Sequence, residues 1–210
     1  MKNLIPAILI LLAPAAFATS LAETTFVAFD VETTGFSPAN ERIIEIGAVK
    51  YRNGKIVEST HWLIQPGIPI NNSSVHHITD ETVAGHPRFA DTYKAFVNFA
   101  GDSVLIAHNA SFDVRFMQAE IERNHLEPLP NPVINSLALF RKWYPEAPSH
   151  KLGALAEQFD LPTGNQHRAE DDAETLLRIL RHGMEARPNL TLQQIKADAN
   201  GFYHFDGSRT

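Results

Sequence analysis

The chain has no cysteine among its 210 residues, which excludes disulfide bonds and rules out a lipid-modified cysteine behind an export signal. Lys and Arg total 18 against 24 Asp and Glu, a formal net charge of −6, so the chain lacks the basic surplus with which a protein grips long nucleic acid. That balance leaves room for an enzyme that holds only a chain end through metal ions. Low-complexity tracts, collagen-like composition and helical repeats are also missing. What is present, 44% apolar and 20% charged residues, is ordinary globular composition, and the length fits one well-buried domain with a short appendage.

The N-terminus is the exception to that composition. MKNLIPAILILLAPAAFA, Met1 to Ala18, carries one lysine, an apolar run, and the small-x-small triplet Ala16-Phe17-Ala18. This is the pattern of a secretory signal peptide, with Ser20-Leu21-Ala22 as a second cleavage option. The apolar run is short for a spanning helix and is interrupted by Pro6 and Pro14. The expectation is therefore an exported protein, periplasmic or extracellular, with no stable membrane insertion after cleavage; an uncleaved N-terminal anchor is the alternative.

Along the rest of the chain, Thr25 to Val31 is β-branched and aromatic, as in a buried strand. Ile43 to Arg52 and Lys55 to Gln65 are two extended segments around Asn53-Gly54, a strong hairpin signal. Residues 66–85 read as loop with a turn of helix near Asp80 to Val83. A helix follows over Phe89 to Phe99, then a short strand over Ser103 to Ala107 and a helix from about Ser111 to His125. A strand at Val133 to Asn135 precedes helices over Ser136 to Trp143, Lys151 to Phe159 and Ala169 to Met184. A hairpin followed by alternating strands and helices predicts an α/β fold with a mixed sheet and helices on its faces. The folded domain is placed at residues 24–184, with 185–210 as a tail that holds a helix near Leu192 to Ala199.

Three places put acids where core is expected. FDVETTG, Phe29 to Gly35, sets Asp30 and Glu32 at i and i+2 of a strand, on one face, where like charges repel unless a cation sits between them. IAHNASFD ends a strand and delivers Asp113. HRAEDDAE opens the last long helix, whose buried stripe is Ala173, Leu176, Leu177 and Leu180. At ~100° per residue, Asp172 lies at the edge of that stripe and Asp171 points to solvent. His167, five residues before Asp172, can converge with it only from the loop or first turn. Each acid alone also has a structural reading, as a solvated turn or as a complement to a helix dipole. Their joint occurrence at strand ends and helix starts is what points to a site.

The ordered set FDVETTG, AHNASFD and HRAEDDAE, with Val-His-His-Ile-Thr at Val75 to Thr79, resembles the DEDDh exonucleases, the group that includes the proofreading subunit of bacterial replicative DNA polymerase. The resemblance runs from about Thr25 to Met184. It implies a ribonuclease H-like fold, a five-stranded mixed sheet with helices on both faces. It implies that Asp30, Glu32, Asp113 and Asp172 hold two divalent cations, Mg2+ or Mn2+, that His167 is the general base, and that nucleoside 5′-monophosphates leave from the 3′ end of DNA. By the same resemblance Thr33 contacts the terminal sugar, and Phe36, His76 and Phe112 line the terminal nucleotide's pocket. RNA or short oligoribonucleotides are the alternative substrate, and a non-catalytic nucleic-acid-binding domain is the alternative of another class. Two departures stand out. Asn135-Ser136 occupies the place of Asp-Thr in many relatives, and the export signal sets this chain apart from cytoplasmic relatives. If the chain is exported, its partner is free nucleic acid and no polymerase is expected.

Overall fold

The structure is a computed structural model and describes residues 21, 23–164 and 168–210. The export segment read over residues 1–18 and the candidate base His167 lie outside the described residues. Among the described residues no helix is long and apolar enough to cross a membrane.

The architecture rests on strand β1 (Phe26–Thr33), which pairs antiparallel with β2 (Ile43–Arg52) on one side and parallel with β4 (Val104–Ala107) on the other. The edge strand β3 (Lys55–Leu63) is the hairpin partner of β2. Their connection, Asn53 at φ 52° and Gly54 at φ 79°, has the two positive φ values that let a two-residue turn follow the strand twist. β5 (Val133–Asn135) lies parallel beside β4. The strand order is β3-β2-β1-β4-β5, with a sixth strand, β6 (Phe202–Tyr203), antiparallel against β5.

That sixth strand corrects the expected count of five. It comes from the segment read as a tail, where a two-residue strand carries no periodic signal of its own. The tail packs into the domain. Its helix α8 (Leu192–Asp198) buries Ile195, and Asp198 accepts a 2.9 Å hydrogen bond from the Trp143 indole. Phe205 sits in the core with its ring 6.0 Å from that of Phe29.

Helices cover both faces, and the period-2 alternation of β1 assigns them. Val27, Phe29 and Val31 share a core with α3 (Phe89–Ala100) and α4 (Ser111–Arg123). Phe26 and Ala28 point the other way, into a core with α5 (Ser136–Trp143), α6 (Leu152–Gln158), α7 (Ala169–Glu185) and α8. Asp30 and Glu32 continue the second parity, so both acids face α7. Residues 66–85 hold two short helices where one was expected: α2 (Asp80–Val83) falls as read and α1 (Ser73–His76) is additional, and the segment packs Ile70, Ile78 and Val83 against Ile44 of β2.

Candidate metal centre

Asp30 and Glu32 sit near the end of β1, with a register irregularity between Glu32 and Thr33. Their partners across the ladder are Gly47 and Glu45 of β2. Glycine in a strand marks a close approach of backbone, and here the approaching backbone belongs to α7: a Cβ added at Gly47 would lie 2.1 Å from the Ala169 carbonyl carbon and 2.1 Å from the Glu170 nitrogen. The first turn of α7 therefore rests directly on the sheet beside Asp30. One turn in, Asp172 reaches the two strand acids. Among the described residues, carboxylate oxygens of Asp30, Glu32 and Asp172 come within 4.8 Å of one another.

Asp113 arrives from the opposite helical layer. Pairing of β1 with β4 ends at Ala28 and Ile106, so the β1 edge beyond it is open. Asp113, in the first turn of α4 and 2% exposed, takes hydrogen bonds from the backbone amides of Val31 and of Asp113 itself. The clamp on the start of α4 comes from Asn135, whose Oδ1 accepts from the Leu137 and Ala110 amides at 3.1 and 3.4 Å. Asp113 is not one of the three most closely grouped carboxylates, but its charge acts on Asp30 more than that of any other residue.

The electrostatics are those of an acidic group awaiting a cation. Burial, followed by the charges of Asp113, Glu32, Asp172 and Glu45, holds Asp30 well above the usual carboxylate range. Burial, then Glu45, Asp172 and Asp113, pushes Glu32 up to about 8, with Arg168 pulling it back. Asp113 is raised to about 7 by burial, against its two backbone hydrogen bonds. Carboxylates forced to hold protons at neutral pH exchange them for a hard divalent cation, and an all-oxygen donor set suits Mg2+ or Mn2+. The residues present fit such an ion on donor type, convergence and charge.

The other expected residues are placed as follows. Thr33 is buried, with its Oγ1 donating to the Gly35 carbonyl at 2.6 Å and its own carbonyl accepting from Asn72 Nδ2 at 2.8 Å. That second bond ties the segment carrying α1 to the end of β1. His76, in α1, is 1% exposed, and its Nδ1 accepts from the Ile78 amide; it is a wall of its loop and not an open ring. Phe36 is 88% exposed. Phe112 is half-buried against the core, its ring 4.8 Å from Phe116. Asp171, read as solvent-facing, is half-buried with Gly164 pressed against its carboxyl group.

The sequence reading passed over Glu45, Gly47 and Arg168. A signal existed for the first two: IIEIGAV is a strand buried on both faces, in which an acid demands a partner and a glycine a neighbour. Which partner and which neighbour lie more than a hundred residues away.

Comparison with known proteins agrees with this geometry. The family model described as "Exonuclease" (RNase_T) matches residues 27–180. A curated relative, DNA polymerase III PolC-type of Lacticaseibacillus paracasei, is 40% identical over 156 residues, which is 73% of this chain and 11% of the relative. The chain thus spans about a ninth of that relative's length. Exonuclease X in complex with 5′ overhanging duplex DNA superimposes with a TM-score of 0.69 at 28% identity, covering 83% of this chain and 99% of the other. The nuclease domain of 3′hExo, a DEDDh family member bound to rAMP, gives a TM-score of 0.72 at 19% identity, covering 81% and 96%.

Proposed function

Because the chain belongs to the exonuclease family, a nuclease group of DEDDh type with this ribonuclease H-like sheet, we propose that it is a metal-dependent 3′→5′ exonuclease releasing nucleoside 5′-monophosphates from DNA. The observation that carries the reading is the convergence of Asp30, Glu32 and Asp172 within 4.8 Å, with Asp113 beside them. These four side chains would hold the ions, two in number by the family resemblance. Bound divalent cations supply an activated water and neutralise charge on the departing oxygen. The protein's own part is to bring four carboxylates together where a bound cation would replace their protons, and to hold the scissile phosphate in line. His167 takes the proton of the attacking water, a task suited to a side chain that titrates near neutral pH.

The terminal nucleotide is held beside the end of β1. Thr33 Oγ1 donates to a backbone carbonyl, which leaves its lone pairs to accept from a sugar hydroxyl. Phe36 offers an open aromatic face and Phe112 a half-buried one, and His76 is buried within its own loop. Base stacking on aromatic faces tolerates any sequence. Phe36→Ala should leave the melting temperature unchanged, since the ring is exposed, and weaken oligonucleotide binding by about 1–3 kcal/mol. A KM and Tm measured on the same preparation check this; a lowered Tm with unchanged KM would make Phe36 a packing residue.

DNA is favoured over RNA by the relatives of higher identity, a DNA polymerase and an exonuclease bound to duplex DNA. The test is a 5′-labelled single-stranded DNA oligomer and its RNA equivalent, each with Mn2+ and with chelator. The expected result is a ladder shortening from the 3′ end, dependent on metal and faster on DNA. Absence of product on both, with metal bound, would leave a nucleic-acid-binding domain. The signal pattern of residues 1–18 supports work outside the cytoplasm on free nucleic acid, apart from a polymerase. N-terminal sequencing of the protein recovered from the periplasm or medium, expected to begin at Thr19 or Glu23, tests that part.

A further inference from the structure

Helix α7 carries Asp172, yet its own N-cap residue, Arg168, makes no side-chain capping bond. The capping group comes from elsewhere in the chain. Glu45 of β2, at 0% exposure, accepts from the Ala169 amide at 3.3 Å, from Arg168 Nη2 at 2.8 Å and from Arg168 Nε at 3.4 Å. One buried carboxylate thus satisfies the first helical N–H and holds the cap residue by two donors, across 123 and 124 residues of sequence. It does so as the cross-strand partner of Glu32.

Burying an acid beside an acidic cluster is an expensive way to stabilise a fold, because a buried ion pair rarely outperforms apolar packing of similar volume. What such a pair does well is fix geometry, since a two-donor guanidinium contact admits few orientations. We propose that Glu45 and Arg168 are positioning residues for the metal centre: together they set the height and rotation of the first turn of α7 and so the place of Asp172 over Asp30 and Glu32. The inference rests on the metal-centre reading above. Arg168 gives its Nε and Nη2 donors to Glu45, which on this proposal makes it a holder of α7 and not a contact to the phosphates of the substrate.

The test uses the full chain, freed of metal, and measures Mn2+ affinity by calorimetry without nucleic acid, then KM and kcat on a DNA oligomer. Glu45→Gln keeps the shape and an acceptor for the Ala169 amide but loses the ion pair. It should weaken Mn2+ binding by roughly 10–100-fold, the cost of losing a group that orients metal ligands, with kcat reduced and KM unchanged. Arg168→Gln leaves Glu45 buried without its cation and can lower folding stability. The double variant Glu45→Gln/Arg168→Gln has no unpaired charge, and it should fold and show the same metal defect. Wild-type Mn2+ affinity in the folded double variant would overturn the proposal. So would tighter oligonucleotide binding by Glu45→Gln with unchanged metal affinity, which would make Arg168 a phosphate contact restrained by Glu45. Asp30→Asn is the control that separates the two readings. If it binds Mn2+ as the wild type does, the metal centre itself is wrongly placed. If it loses Mn2+ while Glu45→Gln does not, only the positioning role fails.

Discussion

Stripped of metal by a chelator, the protein should lose thermal stability as pH rises, and Mn2+ or Mg2+ should restore it most strongly at the alkaline end. The sign follows from proton binding. Glu32 titrates at about 8 in the fold against an ordinary 4.5, and Asp113 at about 7 against an ordinary 3.8. Between the ordinary values and the raised ones, the folded state holds protons that the unfolded chain has released. The stability tied to these groups is therefore fully present below pH ~4 and is lost as pH climbs through about 7 and 8. A divalent ion bound only by the folded state stabilises it by mass action, and binds best where the carboxylates are free of protons.

Asp30→Asn makes the two sides of this arrangement separable. Asp30 is raised by burial and by four neighbouring acids, so an amide in its place removes a repelling charge. The chelated variant should melt above the chelated wild type at pH ~8 and show a shallower pH dependence. Hydrolysis should fall by more than the roughly 10–100-fold expected for a residue that only supports a metal ligand. Melting curves with and without metal across this pH range check both halves. A flat melting temperature in chelator would mean that the acids do not share one desolvated site.

The second large effect is expected from a single methyl group. Gly47→Ala places a Cβ 2.1 Å from the backbone of Ala169 and Glu170, and neither partner is a flexible side-chain end. Either α7 lifts from the sheet or β2 bends. Overpacking of this kind costs about 1–3 kcal/mol of stability, which the fold should survive. The site is less tolerant, because Asp172 rides on the same turn. Misplacing a catalytic group by about 1 Å can cost roughly 100-fold in rate, so the variant should be folded and nearly inactive, with Mn2+ affinity lowered in parallel. Gly54→Ala meets nothing near its added Cβ but strains the turn at φ 79°, so it destabilises the fold without touching α7; it is the matched control and should keep its activity. Full activity in Gly47→Ala would show that the tight seat of α7 on the sheet does not govern the site.

Much of the fold was legible because its signals are local. The hairpin is announced by Asn53-Gly54, whose positive φ values few other residue pairs adopt readily. β5 and α5 fall where Val133 to Asn135 and Ser136 to Trp143 were read. The facing of Asp30 and Glu32 follows from strand parity alone. Helix periodicity puts Asp172 at the edge of the buried stripe, and its meeting with Asp30 and Glu32 comes from the way α7 lies on the sheet. The sixth strand escaped because Phe202 and Tyr203 form a strand only by pairing with Val133 and Ile134.

The sequence by itself determined the ligand types, their order, and the face each one occupies within its own element, because periods of 2 and 3.6 are properties of the local backbone. The tertiary structure alone decided how those elements meet. Gly47 and Glu45 look like an interruption of an apolar strand until α7 is laid on them, and α7 has no capping side chain of its own until Glu45 supplies one. Asp113 is an ordinary first-turn acid of α4 until the open edge of β1 beyond Ala28 offers it the Val31 amide. Contacts of this kind join residues far apart in sequence, and the raised proton affinities of Asp30, Glu32 and Asp113 exist only because folding brings those charges together and removes their water.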